Sequence, residues 1–327
     1  METRSTPFAA MMRLAPAFAA SVALSGIGKN AAAQQFNGFE ISNAEIPSAQ
    51  ILRGGPPRDG IPAIDRPRFV PNRDATELDG DDRVLGLVLY GEARAYPVAI
   101  MNWHEIVNDE FGGHAVAVTY CPLCGSGVAY RAEVAGRRLR FGVSGLLYNS
   151  DVLLYDRQTE SLWSQIASRA ISGPMRGTEL AMLALEHTRW SDWRARHPRG
   201  RVLSRDTGFA RDYSRDPYRS YRTQPGTMFP VHGSDARHSA KTWVFGLRIG
   251  DDARAYPFPE LDRVPGGQVD DIVGGRQVRI LFDRAHRSAR AIDAEGVPLA
   301  GISAYWFAWM AFHPGSTVFD AGTHGSR

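Results

Sequence analysis

The sequence predicts an α+β fold, rich in strands, made of two related halves that arose by internal duplication and pack together. Alternating apolar runs carry the first part of that expectation. Ala115-Val116-Ala117-Val118-Thr119-Tyr120 has the period of two of a half-buried strand. Helical spacing is confined to short pieces, such as Met101-Asn102-Trp103-His104-Glu105 and the paired tryptophans Trp190/Trp193 and Trp306/Trp309. The duplication rests on three collinear echoes. The hairpin at 84–97 returns at 244–257, sharing Ala-Arg-Ala-Tyr-Pro at 93–97 and 253–257. Val107-Asn108-Asp109-Glu110-Phe111-Gly112-Gly113 is answered by Val269-Asp270-Asp271-Ile272-Val273-Gly274-Gly275. Trp190, Trp193, His197 and Pro198 are answered by Trp306, Trp309, His313 and Pro314.

Residues 1–35 read as an export signal. Arg13 precedes the apolar run 14–24, too short to span a bilayer, and Ala31-Ala32-Ala33 offers small residues for cleavage. Residues 36–81, dense in Pro, Gly, Asp and Arg without sustained periodicity, form an extended lead-in. The first half, 82–210, holds the pair Cys121-Pro122-Leu123-Cys124 and an insertion, 136–185, that the second half lacks. Within the insertion two strands flank the turn Tyr148-Asn149-Ser150-Asp151. A linker at 211–241 leads to the second, degenerate half at 242–327.

Composition narrows the function. Hydrophobic residues make up 43% and charged residues 22% of the 327, the balance of a globular protein. A formal charge of +3 without a dense basic block excludes nucleic acid as the expected partner. After signal cleavage no membrane span is expected, and the location is periplasmic or secreted. There is no phosphate-binding loop, nucleophile elbow, zincin helix or dinucleotide fingerprint.

The chemistry gathers at Thr119-Tyr120-Cys121-Pro122-Leu123-Cys124-Gly125-Ser126-Gly127, which contains both cysteines of the chain. A C-x-x-C leaving a strand through Pro into glycines puts both sulfurs on one side of a tight turn, as in a metal knuckle. The same pair also suits a dithiol–disulfide centre. No thioredoxin-like frame surrounds it, and Gly125-Ser126-Gly127 is a poor helix start. A structural disulfide here would close a very short loop and stabilise little. Two cysteines alone exclude a four-cysteine zinc site. The second half has Asp283 and His286 at the equivalent places. His104, like the cysteines, lacks a counterpart there. Two thiolates and one imidazole make a soft site suited to copper, with zinc or iron next. Tyr148, Trp163 and Gln165, all in the unduplicated insertion, are the residues expected around it.

Asn102-Trp103-His104-Glu105-Ile106-Val107-Asn108-Asp109, Val118-Thr119-Tyr120-Cys121-Pro122-Leu123-Cys124-Gly125-Ser126, Gly142-Val143-Ser144-Gly145-Leu146-Leu147-Tyr148-Asn149-Ser150-Asp151 and Asp156-Arg157-Gln158-Thr159-Glu160-Ser161-Leu162-Trp163-Ser164-Gln165 together resemble the DUF3179 family. The resemblance covers most of the chain after about residue 45 and has His104, Cys121 and Cys124 intact. It implies an often exported bacterial or archaeal protein, and brings no activity, substrate or cofactor with it.

The functional expectation is an exported copper-dependent oxidoreductase, or one using another transition metal, with His104, Cys121 and Cys124 as ligands. It would act on a small-molecule substrate or a redox partner. A non-catalytic metal carrier and a thiol–disulfide protein using the cysteine pair are the alternatives.

Overall fold

Strands dominate the computed structural model, which describes residues 35–233 and 235–324. With 42% strand against 15% helix, the chain belongs to the mostly-β class. Five sheets of four or five strands form a five-bladed β-propeller. One blade orders Leu185–Arg189, Arg83–Leu89, Glu92–Pro97, Arg201–Leu203 and Phe69–Pro71 edge to edge. A second orders Met182–Leu183, Ser126–Arg131, His114–Cys121 and Ile106–Phe111. The insertion builds a third from Arg169–Ser172, Leu162–Ser164, Asp151–Asp156 and Phe141–Tyr148, closed by Ile51–Arg53 from the lead-in. The last two blades are Gly301–Tyr305, Trp243–Ile249, Asp252–Pro257 and Thr317–Val318, then Gln268–Val273, Arg276–Asp283, Ser288–Asp293 and Pro298–Leu299.

The expected α+β fold of two packed halves is therefore corrected. Helices α1 (Val98–His104), α2 (Trp190–Arg196), α3 (Arg219–Thr223), α4 (Phe258–Leu261) and α5 (Trp306–Phe312) have at most seven residues, about two turns. They connect strands and form no layer of their own. The three echoes mark blades: the first and fourth sheets share a strand order, including a short parallel partner for the Ala-Arg-Ala-Tyr-Pro strand. The export signal expected over 1–35 falls, except for Gln35, outside the described residues.

The echoes are linked by contact, which explains their joint recurrence. A Cβ on Gly86 would stand 2.1 Å from the buried ring of Trp193, and one on Gly246 would stand 2.1 Å from Trp309. Each tryptophan ring occupies the space beside the strand that a side chain there would need. The rings of His197 and His313 in turn lie 4.1 Å from Trp193 and Trp309, at the ends of α2 and α5. Likewise Tyr96 donates to Asp109 at 2.6 Å and Tyr256 to Asp271 at 2.9 Å, each beside an arginine, Arg94 or Arg254.

Residues 211–233 carry α3 and run over the edge of the cysteine region. Trp103 Nε1 donates to Arg215 O at 3.1 Å, Tyr221 hydroxyl to Leu123 O at 2.9 Å, and Ser150 Oγ to Phe229 O at 3.0 Å. Phe229 and Val231 pack on the core that contains the cysteines. This strap thus seals the side chains that a solvent-facing linker would leave open.

Candidate metal centre

The strand His114–Cys121 divides two cores by simple alternation. Val116, Val118 and Tyr120 enter one core, while Ala117 and Cys121 enter the other, joined there by Cys124. The chain then turns through Gly125, whose φ of +63° favours glycine. A Cβ there would also stand 2.9 Å from Trp243 and 3.3 Å from Tyr305. Tyr305 N–H donates to Cys124 O at 2.8 Å and holds the turn from the neighbouring blade. Cys121 and Cys124 are free thiols, 1% and 0% exposed.

The insertion brings the third group. Phe141–Tyr148 and Asp151–Asp156 pair through Asn149 and Ser150, with φ of 51° and 64°. Two consecutive positive φ values make a type I′ hairpin turn. Asn149 Oδ1 accepts from His232 N–H at 2.9 Å, tying the turn to the strap. The turn directs Ser150 O to both sulfurs, 3.6 Å from Cys121 Sγ and 3.4 Å from Cys124 Sγ. Asp151 follows at once. Its carboxylate and the two sulfurs place ligand atoms within 4.8 Å of one another, all buried.

The electrostatics are one-sided. Burial pushes the Asp151 carboxyl up to about 7, and burial followed by the proximity of Asp151 pushes Glu105 up to about 8. Burial also raises both thiols, Cys124 the further. Asp151 Oδ2 accepts from Ile166 N–H at 3.1 Å, but Oδ1 is buried with no hydrogen-bond partner. Two thiols and two carboxyls therefore share a buried region, and none of the ion pairs among the described residues reaches it.

His104 does not join this group. Its ring nitrogens are engaged by Pro62 O at 2.7 Å and Tyr213 hydroxyl at 2.6 Å, and Tyr213 belongs to the Tyr120 core, across the strand from Cys121. The imidazole expected beside the two sulfurs is thus placed in the other core, and the group found near them is the Asp151 carboxylate. Residues 102–104 dock the strap, Asn102 Nδ2 reaching Asp216 at 3.3 Å alongside the Trp103 and His104 bonds.

Of the residues expected around the cysteines, Gln165 is the nearest in bonding terms. It accepts from Ser126 Oγ at 2.6 Å and donates to Thr119 Oγ1 at 2.9 Å, and Ser126 is the register partner of Cys121. Trp163 shares the cysteines' core, but its Nε1 donates to Asp156 at 2.9 Å, making it a structural post. Tyr148 packs instead on the core of Phe39 and Leu146, edge-on to Phe312 at 5.4 Å.

Sequence reasoning offers Asp151 only as one of several polar hairpin residues that could line a pocket, and does not single out Glu105. Their signals were present: Asp151 directly follows a turn in the unduplicated insertion, and Glu105 lies in the equally unduplicated Trp103-His104-Glu105. In the other repeat, Asp283 and His286 stand within 4.8 Å of Asp192, half-buried. Those groups satisfy one another: His286 Nδ1 lies 2.7 Å from Asp283, and Arg196 pairs with Asp192 at 2.7 Å.

The chain belongs to the family described as protein of unknown function, DUF3179, whose model matches residues 58–316. No curated protein and no solved structure matches it.

Proposed function

We propose that this member of the family binds one transition-metal ion between Cys121, Cys124 and Asp151 and is a metal-dependent enzyme acting on a small molecule. The observation that carries the reading is the convergence of three buried ligand atoms within 4.8 Å of one another, with Asp151 Oδ1 left without a partner. Ionising a buried carboxyl that has only two thiols and backbone N–H groups beside it is costly, and an ion offsets that cost. The donor set fits such an ion: two thiolates with one carboxylate suit zinc or iron(II), and the exchange of imidazole for carboxylate moves the preference away from copper(I). Three protein ligands leave a coordination position for substrate or water, where a bound ion supplies Lewis acidity or, with iron, redox capacity.

The protein's own groups would position and seal. Gln165 fixes the Cys121–Ser126 ladder, Ser150 O fixes the distance between turn and sulfurs, and the strap keeps water away. An exchangeable carrier fits this burial poorly, because its ion must leave readily. Thiol–disulfide exchange fits poorly as well, since buried thiols with raised pKa are weak nucleophiles. The apolar run at 14–24 favours action outside the cytoplasm.

The test is anaerobic loading with zinc(II), iron(II), cobalt(II) or copper(I), followed by elemental analysis and, for cobalt, the near-ultraviolet thiolate band. One ion per chain is expected, lost in Cys121→Ser, Cys124→Ser and Asp151→Asn and retained in His104→Gln. Retention in Asp151→Asn with loss in His104→Gln would overturn the ligand assignment.

A further inference from the structure

A cavity of about 480 Å³ lies on the opposite side of the strand from the sulfurs, walled by α1, Tyr120, His187, Trp243 and the strap. At its wall stands the imidazole of His187. His187 is 4% exposed, and both of its ring nitrogens are buried without a hydrogen-bond partner. A neutral imidazole has one donor and one acceptor, and buried groups of this kind are nearly always paired. Its ring is instead held edge-on by Tyr120 and Trp243, at 6.1 and 5.1 Å.

The charge around it is arranged by depth. Arg83 lines the cavity and, among the described residues, donates to the carbonyls of His187, His286 and Arg287 and pairs with no carboxylate. Arg222 reaches in from α3, paired with Asp216. The acidic residues Glu77, Asp79 and Asp81 are exposed and form the rim with half-buried Asp82, while Arg205, Arg215 and Arg219 add further positive charge to the lining. Trp243 and Val98 add apolar wall.

We propose that this cavity binds a small organic oxyanion, a carboxylate or a phosphate ester, whose oxygen accepts from the His187 ring in the field of Arg83 and Arg222 while its apolar body lies along Trp243. The site is separate from the cysteines and stands independently of the metal reading. The two share elements, however: Tyr120 faces the cavity and Cys121 the sulfurs, and on α3 Arg222 faces the cavity while Tyr221 bonds Leu123 O between the cysteines.

Benzoate, phenyl phosphate and benzylamine, three ligands of similar body and different head, are titrated into the full chain by calorimetry. At least one of the two anions binds, with affinity reduced about tenfold or more in His187→Phe and Arg222→Met, and benzylamine does not. Binding of benzoate alone identifies a carboxylate site, and of phenyl phosphate alone a phosphate site. In wild-type protein with ¹⁵N-labelled histidine, the bound anion shifts the His187 ring nitrogens, a readout that survives misfolding of either variant. Absence of anion binding, equal binding of benzylamine, or binding that leaves the His187 nitrogens unmoved overturns the proposal.

Discussion

Replacing Gly125 by alanine tests whether the turn between the two sulfurs is held by its neighbours as the geometry requires. Two separate costs arise. The residue sits at φ +63°, and an L side chain in that left-handed region costs about 1–2 kcal/mol. Its Cβ would also stand 2.9 Å from Trp243 and 3.3 Å from Tyr305. Those rings pack on each other at 4.9 Å, and the Tyr305 backbone is pinned to Cys124 O, so neither gives way freely. Overpacking of this kind adds about 1–3 kcal/mol. The sum is about 2–5 kcal/mol, or a melting temperature lower by roughly 3–8 °C for a chain of this size. Gly113 supplies the control. Its φ is +85° and a Cβ there meets nothing within 4 Å, so Gly113→Ala bears the backbone cost alone. Urea unfolding of the three proteins, followed by tryptophan fluorescence, measures both. A Gly125→Ala loss no larger than that of Gly113→Ala would refute the packing of Trp243 and Tyr305 on the turn.

Two further expectations concern other parts of the molecule. Asp156, fully buried, accepts from Trp163 Nε1 at 2.9 Å and from the Thr159 backbone at 2.6 Å. Asp156→Ala leaves both donors unpaired and should cost about 2–4 kcal/mol in urea unfolding; a loss within experimental error would show that this Asp–Thr–Trp box does not brace the insertion. Burial, and then Arg248, lower the pKa of His313 to about 4, so the folded protein keeps this ring neutral where the unfolded chain protonates it near 6.5. Stability from this group is therefore complete above about pH 7 and is lost as pH falls from 6.5 toward 4, by about 2 kcal/mol at pH 5. His313→Gln should remove that share of the acid sensitivity, and an unchanged pH profile would count against it.

The cysteine pair, the knuckle-like turn and the hairpin around Asn149 were legible in sequence because each is written in local residue types. The Gly-Trp and Tyr-Asp contacts were legible only as repetition: the echoes were visible, their pairing was not. Grouping those repeats into halves failed because local periodicity marks a strand and says nothing about its sheet. Arg83–Leu89 takes Leu185–Arg189 as its neighbour, and Glu92–Pro97 takes Arg201–Leu203, partners that lie far along the chain.

The ligand set divides in the same way. Two sulfurs on one tight turn follow from the spacing of Cys121 and Cys124 alone. The third candidate ligand was a matter of which face each side chain takes. His104 lies nearer in sequence, yet it is bound to Tyr213 in the core across the strand, while Asp151 arrives through a hairpin of another blade. Spacing sets how far a side chain can reach; only the packing of one sheet against the next sets which side of it the reach begins from.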